Sequence, residues 1–212
     1  MSRTEQTNSN KVPSPMALYL EFKGDRGVFS RWDGEQQKNV EYDEIRCVFM
    51  DSRSSITGWN DENKGRVYSN LVKFTKEEPF FVSVNRVKLC NGLYKDIKKE
   101  IEGVGGKFTT NLFVMAEIDG EWVPTVLQLH STTLSNWSDY VEKNTMKKVY
   151  TQIVTIKRAK DQMKKGKIVW YPLDISGEDL PEEVGDLADR FCDEQLMPYL
   201  NQVVTTTESA TV

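Results

Sequence analysis

LCNGLYKDIKKEIEGVGGKFTTNLFVMAEI, residues Leu89 to Ile118, reads as a helix, a glycine turn and a strand. Asn91 is a helix-capping residue type, and Leu93, Ile97, Ile101 and Val104 recur at helical spacing on one face. Lys95, Lys98, Lys99 and Glu100 fall on the opposite, solvated face. The helix is expected to stop at Gly103 or at Gly105-Gly106, because glycine accepts the left-handed conformation of a C-terminal cap. From Lys107 to Ala116 aromatic and β-branched residues alternate as in a long strand. The other convincing apolar runs upstream are strands. The expectation is therefore a mainly β (α+β) chain: an OB-type five-stranded barrel with inserted helices and a C-terminal helix.

Totals narrow the classes. At 212 residues with 38% hydrophobic content, the chain has room for one sizeable domain with additions. The formal net charge of −4 gives no global attraction for nucleic acid, so any anion-binding surface has to be a local patch. Cys47, Cys90 and Cys192 lie far apart without a CxxC pair, which argues against a disulfide framework or zinc site and for a reducing compartment. No apolar run approaches the roughly 18 residues of a membrane span, and Met1 to Pro15 lacks the apolar stretch of a signal peptide. A cytoplasmic protein without a membrane partner is expected.

Along the chain, residues 1–15 read as a flexible tail, 16–176 as the barrel domain, 177–203 as an acidic C-terminal helix and 204–212 as a second tail. Met16 to Phe22 and Val28 to Trp32 form a hairpin about Gly24-Asp25-Arg26-Gly27. Val40 to Met50 is a strand, and Asp51 to Lys64 a polar connection holding Trp59. Arg66 to Phe74 and Phe80 to Val84 are strands, with Asn85-Arg86 as a turn. Asp119-Gly120 turns into a strand from Glu121 to Leu129. Ser131 to Val141 is a helix with Leu134, Trp137 and Val141 inward, and Met146 to Arg158 a long strand. Glu178 to Leu200 is a helix with Leu180, Val184, Leu187, Phe191 and Leu196 on one face.

Catalytic patterns are weak. His130 stands alone, without a nearby cysteine or serine elbow, and reads as structural. Gly106-Lys107 and Gly166-Lys167 lack the flanking residues of a phosphate loop, and no metal-ligand cluster is apparent. The expectation is no catalytic residue, no metal and no cofactor. A nuclease or polymerase accessory with an unrecognised carboxylate site is the enzymatic rival.

Charge patterning says more. Lys147, Lys148, Lys157, Arg158, Lys160, Lys164, Lys165 and Lys167 are opposed only by Asp161 and interleaved with Tyr150, Trp170 and Tyr171. Lys64, Arg66, Tyr68 and Lys73 follow Trp59, and Arg86, Lys88 and Lys107 precede Phe108. Cations with rings between them suit single-stranded nucleic acid, where phosphates meet Lys and Arg and bases stack on exposed rings. Taken singly, each set also reads as a solvated hairpin tip or a core aromatic. Asp174 to Glu194 is acidic apart from Arg190, as on a solvated helix face or a contact for replication partners.

Ile56-Thr57-Gly58-Trp59-Asn60, Val67-Tyr68-Ser69-Asn70, Gly92 to Lys98 and Gly105 to Phe113 together resemble a family of bacteriophage-encoded OB-type single-stranded DNA-binding proteins. Leu127-Gln128-Leu129, Leu134 to Trp137 and Lys165 to Leu173 are similar too, so the likeness spans about residues 45–200. It implies a replication or recombination accessory that coats single strands in the host cell cytoplasm without sequence preference. Many single-stranded DNA-binding proteins end in a flexible acidic tip, whereas this sequence ends TTTESATV, so tail-mediated partner recruitment is not expected unless the acidic helix takes that role. The expected phosphate contacts are Arg66, Lys73, Lys107, Lys157, Arg158 and Lys167, and the expected stacking faces are Trp59, Tyr68, Tyr150 and Trp170. Single-stranded DNA is the expected partner, with replication proteins at the acidic helix and a homo-oligomer as further candidates. A phage structural or protein-interaction module without nucleic-acid binding is the alternative.

Overall fold

The computed structural model describes residues 13–208. Its strands are β1 (Leu18–Lys23), β2 (Val28–Asp33), β3 (Lys38–Tyr42), β4 (Glu44–Asn60), β5 (Gly65–Tyr68), β6 (Phe80–Val84), β7 (Val87–Gly92), β8 (Gly106–Ile118), β9 (Glu121–His130), β10 (Gln152–Arg158), β11 (Met163–Lys165), β12 (Ile168–Trp170) and β13 (Leu173–Asp179). Its helices are α1 (Tyr94–Gly103), α2 (Ser131–Asn144), α3 (Met146–Val149), α4 (Glu182–Phe191) and α5 (Met197–Glu208), with a π-helical turn, Cys192–Leu196, joining the last two. The chain is mainly β, 49% strand and 26% helix.

Eleven strands share one mixed sheet in the order β3-β2-β1-β9-β8-β4-β5-β6-β7, with β10 and β13 attached beside β4. The β1–β9 ladder is parallel, and the others are antiparallel. β4 is the branch point. Its first half pairs with β10, its last residues pair with β5, and nearly its whole length pairs with β8 through a bulge at Phe49/Asp51. Asp119-Gly120 and Asn85-Arg86 both take positive φ, the signature of tight hairpins whose twist matches their strands.

The long β4 is the main departure from the sequence reading. Asp51 to Asn60 is strand and not a polar connection, because β8 pairs along it as far as Gly58 and its buried polar side chains, Arg53, Ser55 and Asn60, find ion-pair or hydrogen-bond partners, while Ile56 is buried in the α1 core. Among the described residues the main sheet has eleven strands rather than five, and no closed barrel is found. The β1–β2 turn nevertheless reaches the β10 region: the Tyr171 N–H donates to the Gly24 carbonyl at 2.8 Å.

Smaller departures have local causes. Asn91 is held in β7 opposite Phe81, so Leu93 begins α1 without a side-chain cap. The expected strand from Arg66 to Phe74 is strand only to Tyr68, with Val72 making one isolated bridge to Ser54. Met146–Val149 is a helical turn, and the strand starts at Gln152. Glu178 and Asp179 end β13, pairing with Ile153 and Gln152, and helix begins only after Pro181. The π-helical turn ends at Leu196, just ahead of Pro198, which has no N–H to give; Ala188, Leu196 and Leu200 are buried while Leu187, expected inward, is exposed, the inward stripe of α4 running through Val184, Ala188 and Phe191. α5 continues to Glu208, past the expected boundary at 203; once nucleated, a helix propagates at little cost. The remaining expected tail segments, 1–12 and 209–212, lie outside the described residues.

The sheet has two differently used faces. Phe22, Phe29, Ile45, Cys47, Leu112, Val114 and Leu127 pack with Trp137 and Tyr140 of α2. Farther along, Ile56, Val67, Phe80 and Val82 pack with Ile97 and Ile101 of α1. On the other face, Val48, Phe113, Met115 and Val126 lie under Ala188, Leu196 and Leu200. Burial at about 25 cal/mol per Å2 makes these three clusters the principal source of stability.

Candidate nucleic-acid interface

The face covered by α4 and α5 at one end is open at the other. Alternate residues of β8 on this face read Lys107, Thr109, Asn111, Phe113, Met115, grading from cation through polar to apolar. Register carries the same gradient into neighbouring strands. Thr57 stands opposite both Lys107 and Tyr68, Trp59 opposite Arg66, and Thr109 opposite His130. Because side chains alternate across a strand, these pairs place Trp59, Arg66, Tyr68 and Lys107 on one surface. Trp59 is 53% exposed and Tyr68 36%, which leaves ring faces accessible. Trp59, Arg66, Lys107, Gln128, His130 and Glu21 line a shallow depression of about 290 Å3.

Trp59 is held by close backbone packing. A Cβ on Gly58 would lie 2.2 Å from the Gly105 carbonyl oxygen, and one on Gly105 would lie 2.3 Å from that of Trp59. Gly105 also has φ +79°, so the α1–β8 turn crosses the end of β4 at a distance only glycine permits. Asn60, itself buried, donates to the Val104 carbonyl at 3.2 Å and accepts from the Asn63 N–H at 2.6 Å, closing the loop beyond the ring. Beneath, the Thr57 and Thr109 hydroxyls share a hydrogen bond of 2.6 Å. Asn111 donates to Ser55 Oγ at 2.8 Å and accepts from Gln128 Nε2 at 3.1 Å. This satisfied polar floor fixes the geometry of the open end.

Electrostatics differ across the face. Burial lowers the His130 pKa, Lys107 and Lys23 push it the same way, and Glu21 opposes them. Where the open end meets the helices, Arg53 and Asp51 form an ion pair at 2.6 Å, and the Arg53 side chain is only 5% exposed. Asp51 and Arg53 also act on the Tyr150 phenol and the Cys192 thiol, whose pKa values burial chiefly raises. That pair marks the border of the two regions.

The other expected site residues lie elsewhere. Lys73 sits 5.6 Å over the Phe74 ring in the loop after β5, where Glu78 accepts its backbone N–H. Tyr150 follows α3 and packs its ring 5.1 Å from Phe49. Lys157 stands opposite Glu44 and Asp174 in the ladders. Arg158 lies 5.1 Å over the Tyr171 ring, against the β1–β2 turn. Lys167 is at the tip of the β11–β12 hairpin, and Trp170 at its base has a buried indole N–H with no partner. The structure thus gathers Trp59, Arg66, Tyr68 and Lys107, and scatters the remaining six. Sequence reasoning missed Thr57, Thr109, Gln128 and Glu21 and took His130 as structural; the parity of β8 carries the signal for Thr109.

Among the described residues, no group of His, Cys, Asp and Glu suited to a metal ion is present, and no helix is long and apolar enough to cross a membrane. No family model, no curated protein and no solved structure matches the chain.

Proposed function

We propose that the protein binds single-stranded DNA without sequence preference, stacking bases on Trp59 and Tyr68 and holding phosphates with Arg66 and Lys107. The observation that carries this reading is the cross-strand arrangement of two exposed rings and two cations on one open sheet face. Rings tolerate any base, and cations meet the backbone, so the surface has the chemistry of binding without base readout. In this reading the strands around the α2-covered core act as an OB-type scaffold, and the role is that of a phage replication or recombination accessory, as the family resemblance implies. Catalysis is not part of it.

A tryptophan-fluorescence titration with a deoxythymidine oligonucleotide at several salt concentrations tests the proposal. The expected result is quenching, with affinity that falls steeply as salt rises. Trp59→Ala is expected to weaken binding by about 1–3 kcal/mol, roughly 5- to 150-fold, while the folding midpoint stays near wild type. A flat titration at low salt overturns the proposal.

A further inference from the structure

The β11–β12 hairpin is a separate two-stranded sheet outside the main one. Gly166, at φ +62°, occupies the first position of its two-residue turn, the place a type II′ hairpin reserves for glycine. Every residue from Asp161 to Val169 is exposed. Met163 is 51% exposed and Ile168 69%, and with Lys165 they share one face of the ladder. Lys164, Lys165 and Lys167 make no ion pair among the described residues. An isolated hairpin is marginal in water, and this one spends its aliphatic side chains on solvent. Its exposed apolar groups are aliphatic, whereas base stacking needs open rings, which favours a protein partner over nucleic acid.

The complementary surface is on the same chain. Along α4, Glu182, Glu183 and Asp186 are exposed and without ion pairs among the described residues, and Leu187 is 39% exposed beside them. Glu183 and Leu187 are four residues apart and Asp186 three from Glu183, so acids and leucine form one patch. Each surface offers the charge the other lacks, with an apolar residue at its centre.

We infer that the hairpin of one copy docks on the α4 face of a second copy, Lys165 and Lys167 meeting Glu182, Glu183 and Asp186 around a contact of Ile168 and Met163 with Leu187. The contact joins two different patches, so copies add head to tail or exchange contacts in a pair. It is independent of the oligonucleotide surface, which lies on the open face of β4, β5 and β8.

Sedimentation velocity of the full chain over a range of concentrations and salt tests the inference. The wild type is expected to associate at low salt and to dissociate as salt rises. The Lys165→Glu/Lys167→Glu variant and the Glu182→Lys/Glu183→Lys/Asp186→Lys variant are each expected to stay monomeric alone, with circular dichroism unchanged. Mixed, the two are expected to associate again, because the exchanged charges match in trans. A monomeric wild type at low salt overturns the inference. So does a hairpin variant that loses oligonucleotide affinity yet self-associates as before, which would assign the lysines to nucleic acid instead.

Discussion

One face of one sheet is used in two ways. At its covered end, Val48, Phe113, Met115 and Val126 are sealed by the C-terminal helices. At its open end, Thr57, Trp59, Arg66 and Lys107 meet solvent over a hydrogen-bonded floor. β4 and β8 run through both ends, with β10 beside β4 at the covered end and β5 beside it at the open one. The difference lies in which residue stands at every second position of β4, β8 and β9. An apolar stretch has to be covered to be stable, whereas a polar stretch whose floor is already hydrogen-bonded stays open at little cost.

The largest effect is expected at the covered end. Phe113 is 2% exposed, and Phe113→Ala should cost about 3–5 kcal/mol in a denaturant titration through lost transfer energy and the cavity left behind. Oligonucleotide affinity, measured well below the unfolding midpoint, should change little. A loss of affinity as large as that of Trp59→Ala would show that the two ends are not separable.

The border comes next. Asp51→Asn leaves the Arg53 guanidinium, 5% exposed, without its counter-charge, and should destabilise by roughly 3 kcal/mol. Replacing both partners, as Asp51→Leu/Arg53→Met, should recover much of that loss, because it removes the unpaired charge together with the pair. If the double variant is no more stable than Asp51→Asn, packing around the pair, and not its charge, holds the border.

At the open end the expected effects are on binding. Arg66→Ala and Lys107→Ala should each make the plot of log affinity against log salt shallower by about 0.7, one phosphate contact on a single strand. Folding stability should stay within about 0.5 kcal/mol, since both side chains are on the surface. An unchanged slope in both variants would remove the cations from the interface.

The gradient on β8 was legible in the sequence, since Lys107, Thr109 and Asn111 precede Phe113 and Met115 at alternate positions. The α1–Gly105-Gly106–β8 unit and the pairing of Trp59 with nearby cations were legible for the same reason: local spacing carries them. β4 beyond Asp51 was not. A run of Asp51, Ser52, Arg53, Ser54 and Ser55 has the composition of a loop, and pairing with β8 on one side and the single Ser54–Val72 bridge on the other make it a strand. Leu187 was misplaced because the inward stripe of α4 runs through Val184, Ala188 and Phe191, with a small alanine where the leucine was expected. The scattering of Lys73, Tyr150, Lys157, Arg158, Lys167 and Trp170 was likewise invisible, because nearness in sequence says nothing about which sheet face or edge receives a side chain.

The smallest expected effect sharpens the comparison by pH. His130 borders the open depression, and burial with Lys107 and Lys23 nearby lowers its pKa from the usual 6.5, Glu21 opposing. Between that value and the lower folded one, the unfolded chain holds a proton that the folded chain does not. Stability conferred by the neutral imidazole is therefore complete above pH 6.5, declines as pH falls below it, and levels off once the folded protein is protonated too. A bound phosphate favours the imidazolium, so the complex takes up the proton more readily than the free protein, and affinity should rise across the same window. Stability and affinity thus move in opposite directions on acidification. His130→Gln should flatten both relative to wild type, while carboxylates elsewhere titrate equally in the two proteins. If affinity falls in parallel with stability, or if the variant keeps the wild-type pH profile, His130 does not face the ligand, and the open end stops at Lys107.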